Sequence, residues 1–520
     1  MVFSSGWPSV EIPAASLGEV VLAGAAARGD HVALVDAIDG VSLTYAELVD
    51  AIDRLAAGLH AWGLRRGECV AIYAPNTPWY AVVFHAVARL GAVNTTANPA
   101  YTADELAFQL RDAGAVLLVT APALLDRARE AAVGTRVREV VVFGEAPGAT
   151  PLGALLSVED PPEVAIDPAV DVVALPYSSG TTGLPKGVML THRNLIANLV
   201  QIAAVEAGAP SEAYIGVLPF FHIYGMVVIM NLGLMRGATM VTMPRFELEP
   251  FLAALARWPV AVAHVVPPVV IALARHPAVD RYDLRGLRWL FSGAAPLGAE
   301  LTRAVEARLG VEVRQGYGMT EASPATHITP PGGAVPGTVG PLLPGTRCRI
   351  VDPATGADLG EDEVGEVWVH GPQVMKGYLN NPAATEATVD AEGWLHTGDL
   401  GRVDARGYLT VVDRLKELIK VKGYQVAPAE LEALLLDHPG VADVAVIPSP
   451  DDDAGEVPLA IVVRRGELDE DALIAWVAER VAHYKRIRRV RFVDTIPKSP
   501  SGKILRRLLV AAERAGSEPA

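Results

Sequence analysis

A short segment of the chain concentrates the chemical groups that bind phosphate. From position 178 it reads Ser-Ser-Gly-Thr-Thr-Gly-Leu-Pro-Lys, followed by Gly187-Val188. Hydroxyls, glycines with unobstructed backbone N–H groups and one lysine supply the donors and the positive charge that a nucleotide's phosphates need. An ordinary Gly/Ser/Thr surface loop is the competing interpretation, but it requires neither the lysine nor the paired hydroxyls. We therefore expect residues 178–186 to hold phosphates.

This segment differs from the phosphate loop of common NTPases, in which Gly precedes the lysine and Ser or Thr follows it. Here Pro185 precedes Lys186 and Gly187 follows it. Apolar runs on both sides of the segment predict short strands, and a helix is predicted only from Thr191, a suitable N-cap. The loop is therefore predicted to join strand to strand.

Composition limits the classes of protein to consider. A length of 520 residues predicts two to four domains, and 51% apolar residues indicate a compact soluble protein. A formal net charge of −16 argues against nucleic-acid binding. The amino terminus lacks a basic signal region, and no apolar run is long enough to span a bilayer. Cys69 and Cys348 are expected to be buried, reduced side chains, so we predict a cytoplasmic protein without membrane contact.

The elements that must position the phosphate segment change character along the chain. Up to about residue 335, predicted strands alternate with helices, which favours parallel sheets covered by helices. Short strands separated by Gly, Pro and Asp follow and predict a small antiparallel sheet or barrel. From residue 413 charged residues become dense, with predicted helices at 427–436 and 470–481 and predicted strands at 441–447 and 459–463. A new compact unit is therefore expected to begin near residue 413.

Seven segments, taken in their order along the chain, resemble those of the adenylate-forming (ANL) superfamily, which includes acyl-CoA synthetases, peptide-synthetase adenylation domains and luciferases. Within this superfamily they most resemble the segments of 4-coumarate–CoA ligases. The resemblance covers essentially the whole chain. Besides the phosphate segment, the matching segments are 221–225, 292–296, 315–321, 393–399, 413–427 and 500–504. Two departures are His370, where the family usually has arginine, and Ser-Pro-Ala-Thr at 323–326, which replaces Gly-Pro-Val beside the acyl pocket.

The resemblance implies an α/β fold, the ANL fold. It would have a large N-terminal domain of two α/β subdomains plus a small β-barrel, hinged to a small mobile α+β C-terminal domain. The corresponding ranges are 1–412, a hinge at 413–416, and 417–520. The implied reaction forms acyl-AMP and pyrophosphate from a carboxylic acid and ATP, and a thiol, that of CoA, then displaces AMP. ATP, Mg²⁺ and CoA are the implied cofactors, and the protein is expected to be a monomer or a homodimer.

The family's functional positions transfer to this chain residue by residue. Lys503 resembles the lysine that bridges the acyl carboxylate and the α-phosphate, and His222 would gate or position the carboxylate without acting as a general base. Glu321 resembles the magnesium ligand. Asp399 would chelate the ribose hydroxyls, with Arg414 as its companion. The positions implied to bind ATP or AMP are Ser178, Ser179, Gly180, Thr181, Thr182, Gly183, Lys186, Gln315, Gly316, Tyr317, Thr320, Asp399 and Arg414.

Thioester formation is implied to use a second set of residues in the C-terminal domain. Lys416 matches the hinge position, where a backbone rotation moves that domain between the two half-reactions. Lys420 and Gln425 match catalytic positions, and Lys422 and Gly423 match CoA contacts. The basic run at 485–491 is either a further contact for the phosphates of CoA or a solvated strand edge.

The acyl pocket is expected to be a flat slot for a planar aromatic acid. Small residues would form one side and Tyr224 the other, with a possible hydrogen bond to a phenol. Alanine at 294 and 295 would narrow the slot and favour cinnamate or coumarate. The residues expected to line it are Ile223, Tyr224, Gly225, Met226, Gly293, Ala294, Ala295, Gly316, Gly318, Pro324 and Ala325.

We predict a hydroxycinnamate– or cinnamate–CoA ligase, and several alternatives stay open at this point. A medium-chain fatty acyl-CoA ligase and an adenylating enzyme that loads a carrier protein use the same chemistry. A phosphate-loop NTPase is disfavoured by Pro185 and the strand-to-strand loop. A non-catalytic nucleotide-binding relative is disfavoured because Lys503, Glu321 and Asp399 are all present.

Overall fold

A computed structural model describes residues 1–178, 185–206, 212–422, 424–451, 454–499 and 502–515 of the chain. These residues form five β-sheets that pack with helices. Ser179, Gly180, Thr181, Thr182, Gly183 and Gly423, six of the predicted site residues, lie outside the described ranges.

The largest sheet is mixed and carries the two described ends of the phosphate segment at one edge. Its strands from Val172–Ala174 to Thr150–Pro151 run parallel, while the two at the segment's ends are antiparallel. In spatial order they are Tyr177–Ser178, Lys186–Thr191, Val172–Ala174, Val93–Ala97, Cys69–Tyr73, Ala115–Thr120, Glu139–Val142 and Thr150–Pro151, with Gly377–Tyr378 paired to Lys186–Thr191. The predicted connection from strand to strand is confirmed, because Ser178 pairs with Lys186.

Two four-stranded sheets complete the α/β part of the chain, and each combines parallel strands with one antiparallel edge strand. The first runs Ala213–Gly216, Thr239–Thr242, Val32–Asp36 and Ser42–Thr44. The second runs Val262–Val265, Trp289–Ser292, Glu312–Gly318 and Ala325–Ile328.

The small unit predicted after residue 335 is a five-stranded antiparallel sheet. Its order is Val2–Ser4, Arg347–Val351, Gly365–His370, Leu395–Val403 and Leu409–Arg414. The fifth sheet begins after the predicted hinge and has its own apolar core. Its order is Tyr424–Val426, Ile419–Val421, Gly455–Arg464 and Val441–Asp451, with Arg489–Val493 paired in parallel to Gly455–Arg464.

Several helices begin at a residue whose side chain accepts a hydrogen bond from a backbone N–H of the first turn. Thr191 is the N-cap of His192–Val205 and forms a capping box with Asn194, as its position in the sequence predicts. The α-helices are Leu17–Val21, Ala25–Arg28, Tyr45–Trp62, Pro78–Arg89, Ala103–Ala113, Leu125–Ala132, His192–Val205, Leu232–Arg236, Leu248–Arg257, Pro267–Arg275, Ala299–Leu309, Pro382–Glu386, Pro428–Leu436, Glu470–Ala478 and Arg506–Ala515. Short 3-10 segments are Pro122–Leu124, Leu152–Leu155, Pro277–Arg281, Thr320–Ala322 and His483–Lys485, and Tyr224–Asn231 is a π-helix.

Some predicted boundaries are wrong by a few residues. The predicted helix 470–481 ends at Ala478. The two long strands of the fifth sheet extend to Asp451 and begin at Gly455, beyond the apolar residues that predicted them, because they continue pairing with each other past the sheet's core. Cys69 and Cys348 are both buried and unpaired, as predicted. No helix in the described ranges is long and apolar enough to cross a membrane.

Candidate active site

The two described ends of the phosphate segment meet a buried glutamate. Glu321 lies in the short turn Thr320–Ala322, and its Oε1 accepts a hydrogen bond of 2.9 Å from the Ser178 hydroxyl. The hydroxyl of Tyr378 donates to the same oxygen at 2.8 Å. The ammonium of Lys186 lies 4.6 Å from the centre of the Tyr378 ring. The strand pairing thus brings one hydroxyl, one lysine and the predicted metal ligand to a common edge.

Asp399 lies at the centre of a second polar group. It sits directly opposite Arg414 in the antiparallel pair Leu395–Val403 and Leu409–Arg414, and the Arg414 Nε lies 3.1 Å from Asp399 Oδ1. The Tyr317 hydroxyl donates to Asp399 Oδ2 at 2.6 Å. Asp399 is only 5% exposed, and this burial raises its pKa, while Arg414 and Tyr317 favour the charged form. A buried carboxylate held at both oxygens is suited to receive a vicinal diol.

Lys503 reaches the same region from the C-terminal part of the chain. Its backbone N–H donates to the Ser499 Oγ at 3.1 Å, and the Ser499 N–H donates to the Lys503 carbonyl at 2.8 Å, which closes a tight turn. At Gly502 in this turn, a Cβ would stand 3.2 Å from Pro268 Cδ and 3.3 Å from Val266 Cγ2. The turn therefore packs against the start of the helix Pro267–Arg275, on the N-terminal side of the hinge.

The ammonium of Lys503 lies among charges from both parts of the chain. Its burial and the charge of Arg414 lower its pKa, Glu417 and Asp399 oppose this shift, and the resulting pKa is about 8. Lys503 in turn acts on His222, whose burial lowers its pKa to about 4. The charges of Asp399 and Arg414 therefore act on Lys503, and the charge of Lys503 acts on His222.

His222 is held as one neutral tautomer. The Tyr224 backbone N–H donates to His222 Nδ1 at 3.2 Å, so this nitrogen carries the lone pair. With a pKa of about 4 the ring is uncharged near pH 7, and its proton must be on Nε2. His222 is therefore a fixed hydrogen-bond donor, which suits contact with a carboxylate and does not suit a general base.

The predicted acyl residues lie at the ends of strands and at the start of the π-helix. Tyr224, Gly225 and Met226 open Tyr224–Asn231 and are buried with Ile223. At Gly225 a Cβ would stand 2.2 Å from the Pro219 carbonyl oxygen, so only glycine allows this close approach. The other predicted lining residues belong to the second four-stranded sheet or adjoin it: Gly293, Ala294 and Ala295 follow Trp289–Ser292, Gly316 and Gly318 lie in Glu312–Gly318, Pro324 precedes Ala325–Ile328, and Ala325 begins it.

Gln315 and Thr320 occupy neighbouring positions at the base of the nucleotide region. Gln315 is buried. Its backbone carbonyl accepts a hydrogen bond of 2.9 Å from the Thr329 N–H, which extends the antiparallel pairing of Glu312–Gly318 with Ala325–Ile328. Thr320 begins the turn that carries Glu321.

The residues predicted for thioester formation that the structure describes are all exposed. Lys416 is exposed between the strand that ends at Arg414 and the strand that begins at Ile419. Lys420 and Gln425 face each other across the hairpin of Ile419–Val421 and Tyr424–Val426, and both are exposed, as is Lys422 in the turn. Lys503 and the hairpin therefore occupy different environments in this arrangement of the chain.

The basic run at 485–491 is partly neutralised by its own domain. Lys485 pairs with Glu430 at 2.7 Å, and Arg489 and Arg491 both pair with Glu513. Arg486 and Arg488 are exposed. Three of the five basic side chains of the run are therefore paired with glutamates of their own domain.

Sequence reasoning missed Tyr378 and Arg506. Tyr378 contacts both Glu321 and Lys186, and Arg506 binds Glu417 at 2.7 Å and Glu432 at 2.6 Å behind the Lys503 turn. Neither has a local pattern, because each meets its partners only through the pairing of distant strands and helices.

Comparison with known proteins gives consistent matches over nearly the whole chain. Residues 22–379 match the family described as AMP-binding enzyme, and residues 430–503 match the AMP-binding enzyme C-terminal domain. The chain is 44% identical to 4-coumarate--CoA ligase 5 of Oryza sativa subsp. japonica, covering 99% of this chain and 98% of that protein. It is 41% identical to 4-coumarate--CoA ligase 2 of Petroselinum crispum, covering 100% and 98%.

Solved structures agree with these sequence matches. ATP-bound MatB from Rhodopseudomonas palustris superposes with a TM-score of 0.87 at 32% identity, covering 96% of this chain and all of that one. The anthranilate CoA ligase AuaEII in complex with anthranoyl-AMP gives a TM-score of 0.90 at 26% identity, with 98% and 99% coverage. The predicted resemblance and the predicted α/β ANL fold are confirmed.

Proposed function

Because this chain belongs to the family of AMP-binding enzymes, we propose that it is an AMP-forming acid–CoA ligase that activates a hydroxycinnamate- or cinnamate-type acid. In the first half-reaction an oxygen of the acid's carboxylate attacks the α-phosphorus of ATP, and pyrophosphate leaves. In the second, the thiol of CoA loses its proton, its sulfur attacks the acyl carbon, and AMP leaves.

The observation that carries this proposal is the buried ion pair of Asp399 and Arg414, whose charges both act on the Lys503 ammonium. A nucleotide whose ribose diol binds Asp399 would present its α-phosphate toward the Lys503 ammonium. Both half-reactions have crowded, anionic transition states, in which a positioned cation and fixed donors supply most of the stabilisation. Lys503 would neutralise the charge shared by carboxylate and phosphate, while the His222 Nε2–H would hold the acid's carboxylate in line.

The residues at the phosphate edge fit a magnesium–nucleotide complex. Mg²⁺ takes oxygen ligands and often binds through one carboxylate together with substrate phosphates. In the described residues no group of three or more His, Cys, Asp or Glu can hold a metal by itself. Glu321 would be the protein ligand, oriented by Ser178 and Tyr378 through its Oε1. When bound, the ion would neutralise phosphate charge, and Lys186 would hold the leaving pyrophosphate.

Thioester formation would use the exposed hairpin of the C-terminal part after a rotation at Lys416. Lys420 and Gln425 would then face the acyl-AMP, and Lys422 and Gly423 would contact CoA. This assignment gives a role to Lys420, Lys422 and Gln425, which are exposed and have no role in the arrangement described above.

An aromatic acid is supported by the relatives and by the slot itself. The curated relatives described above are 4-coumarate–CoA ligases, and a structural relative holds anthranoyl-AMP. Tyr224 lies close to Gly293, where a Cβ would stand 2.9 Å from Cε1 of the tyrosine ring, so only glycine allows this approach. An aromatic ring beside small residues is suited to a flat acid. A medium-chain fatty acid, or an acyl group destined for a carrier protein, is the alternative substrate class within the same chemistry.

A CoA-ligation screen with cinnamate, coumarate, caffeate, ferulate, benzoate and octanoate tests the proposal. We expect AMP release that depends on ATP, Mg²⁺ and CoA, with the highest kcat/KM for coumarate or cinnamate. The highest kcat/KM for octanoate would overturn the aromatic substrate class. Absence of CoA-dependent AMP release with every acid would overturn the ligase assignment.

A further inference from the structure

The hydroxyl of Tyr224 is surrounded by groups that decide how it can hydrogen-bond. Tyr224 is buried, and its hydroxyl oxygen lies 3.2 Å from the carbonyl oxygen of Phe291 and 3.4 Å from Nδ1 of His264. His264 was not among the residues singled out from the sequence. It is 3% exposed and lies in the strand Val262–Val265.

His264 lies on the same sheet as several of the predicted acyl residues, in the neighbouring row of side chains. The parallel strands align His264 with Phe291 and Phe291 with Arg314. Side chains two residues apart share a face, so Gly293 and Gly316 follow this row on the same face, about 7 Å further along. The acid's carboxyl group would lie beyond the glycines, near His222. His264 and the Tyr224 hydroxyl therefore lie at the distal end of the slot, away from the acid's carboxylate.

One assignment of the protons satisfies both contacts of the Tyr224 hydroxyl, and we adopt it. A carbonyl oxygen only accepts, so the Tyr224 O–H donates to Phe291. His264 Nδ1 must then carry a proton and donate to the Tyr224 oxygen. Burial, together with the charges of Arg314 and Arg236, lowers the pKa of His264 to about 3, so the ring is neutral. Its proton is on Nδ1, which leaves one lone pair of the Tyr224 oxygen for a ligand.

The His264 ring is held in this orientation by a buried polar chain. The ring of Tyr214 stacks on it, with centroids 5.6 Å apart and planes inclined by 10°. The Tyr214 hydroxyl accepts from Arg236 Nη1 at 2.7 Å, and the same Nη1 pairs with Glu206 at 2.9 Å. In this series of buried side chains, each one is held by contact with the next. The stack fixes the plane of the His264 ring, and the contact with the Tyr224 hydroxyl fixes which edge of the ring faces it.

We propose that His264 is a positioning residue that fixes the Tyr224 hydroxyl as a hydrogen-bond acceptor, so that the enzyme selects acids whose distal substituent donates a hydrogen bond. This inference rests on the proposed aromatic-acid ligase activity. Phenolic hydroxyl and aryl amine groups meet the requirement. A methyl group of similar size cannot donate a hydrogen bond. A methoxy oxygen can only accept one, so its lone pair would face a lone pair of the Tyr224 hydroxyl oxygen.

The size of the effect follows from the chemistry of the pocket. An apolar slot rejects a substituent of equal size only weakly, whereas a site with a buried polar group rejects analogues that leave that group unpaired. One hydrogen bond of about 1.4 kcal/mol corresponds to a tenfold difference in kcat/KM. We therefore expect kcat/KM for 4-hydroxycinnamate to exceed that for 4-methylcinnamate by about tenfold or more, with 4-aminocinnamate closer to the former.

The test compares this hydroxyl-to-methyl ratio of kcat/KM in the wild type and in four variants. Asn and Leu have the same branching, and the Asn amide nitrogen stands where His Nδ1 stands, so His264→Asn and His264→Leu form a matched pair. We expect His264→Leu to lower the ratio about fivefold or more and His264→Asn to retain most of it. Tyr224→Phe should bring the ratio close to one, and adding His264→Leu to it should lower the ratio no further, because His264 acts through Tyr224.

Several results would overturn the proposal. They are equal ratios in His264→Leu and His264→Asn, multiplicative effects in the double variant, or a wild type that uses 4-methyl- or 4-methoxycinnamate as well as 4-hydroxycinnamate. The last result requires no variant, so a misfolded His264→Leu protein leaves the test intact. Failure of every aromatic acid to form a CoA thioester would instead overturn the proposed function, which separates the two failures.

Discussion

At the scale of single residues, burial sets the charge of the groups that meet the acid and the nucleotide. Burial and the charge of Arg414 lower the pKa of Lys503 to about 8, so its side chain is still mostly protonated at pH 7. His222, with a pKa of about 4, is neutral at the same pH. The two neighbours therefore differ in charge, one as a cation and one as a neutral donor. This difference suits a carboxylate that must be held without being protonated.

The lowered pKa of Lys503 predicts a basic limb in the pH dependence of adenylation. Lysine is charged below its pKa, so the useful cation is lost as pH rises through about 8. We expect kcat/KM for acid-dependent pyrophosphate exchange to fall above pH 8, since this parameter reports ionisations of the free enzyme. Lys503→Arg should have a lower rate and no such limb, because arginine stays charged. An identical limb in both proteins would contradict this origin.

At the scale of elements, the hinge region ties the two parts of the chain together through buried carboxylates. Asp413, the second-last residue of the last strand of the small antiparallel sheet, accepts a hydrogen bond of 2.9 Å from the Ala429 N–H in the first turn of the helix Pro428–Leu436. Burial raises the pKa of Asp413, and the backbone donors counter the shift. Arg506 links Glu417 and Glu432 behind the Lys503 turn. The turn and the hinge are therefore one connected unit, with exposed Lys416 at its edge.

A proline at the hinge tests whether Lys416 permits the change between half-reactions. Proline restricts its own φ and the conformation of the residue before it. We expect Lys416→Pro to keep acid-dependent pyrophosphate exchange within about threefold of wild type and to slow conversion of supplied acyl-AMP to thioester by about tenfold or more. Lys416→Ala is the matched control and should retain both rates. Equal loss of the two rates in the proline variant would argue against a hinge.

Local patterns predicted elements and strand edges well, while partners from distant elements required the structure. Thr191 and Asn194 form a capping box that depends on four consecutive residues, so the helix start was predictable. Tyr378 meets Glu321 only because its strand pairs with Lys186–Thr191, and His264 meets Tyr224 only through the packing of the π-helix on a parallel sheet. No local periodicity encodes such meetings. The resemblance to the ANL superfamily implied roles for residues in the matching segments, but it did not identify the neighbouring residues that orient them.

At the scale of the whole molecule, the arrangement of the two parts favours one half-reaction. The Lys503 turn packs on the helix Pro267–Arg275, and the Arg275 guanidinium donates to the Leu436 carbonyl oxygen at 3.3 Å across the same boundary. Lys420 and Gln425 are exposed at the same time. The described arrangement therefore fits adenylation, and thioester formation is predicted to require a different one.

Buried neutral histidines predict an acid-sensitive fold. His85, His192 and His327 have pKa values lowered by burial to about 4, 4 and 3. Because unfolding lets each histidine bind a proton below its ordinary pKa of about 6.5, their stabilising contribution is present above that pH and is lost as pH falls from about 6.5 to 4. We expect Tm to fall over this range, and His85→Leu to lose less Tm on acidification than wild type. His60→Leu, at an exposed histidine, is the control, and equal losses in all three proteins would contradict the account.

The central claim is that Lys503 serves adenylation alone, while Lys420 serves thioester formation. The most direct measurement determines both half-reactions separately in Lys503→Ala and Lys420→Ala: acid-dependent pyrophosphate exchange, and conversion of supplied acyl-AMP and CoA to thioester. We predict that Lys503→Ala loses exchange by about 100-fold or more and keeps thioester formation within a few-fold, with the opposite pattern in Lys420→Ala. Undiminished exchange in Lys503→Ala, or equal loss of both half-reactions in each variant, would contradict it.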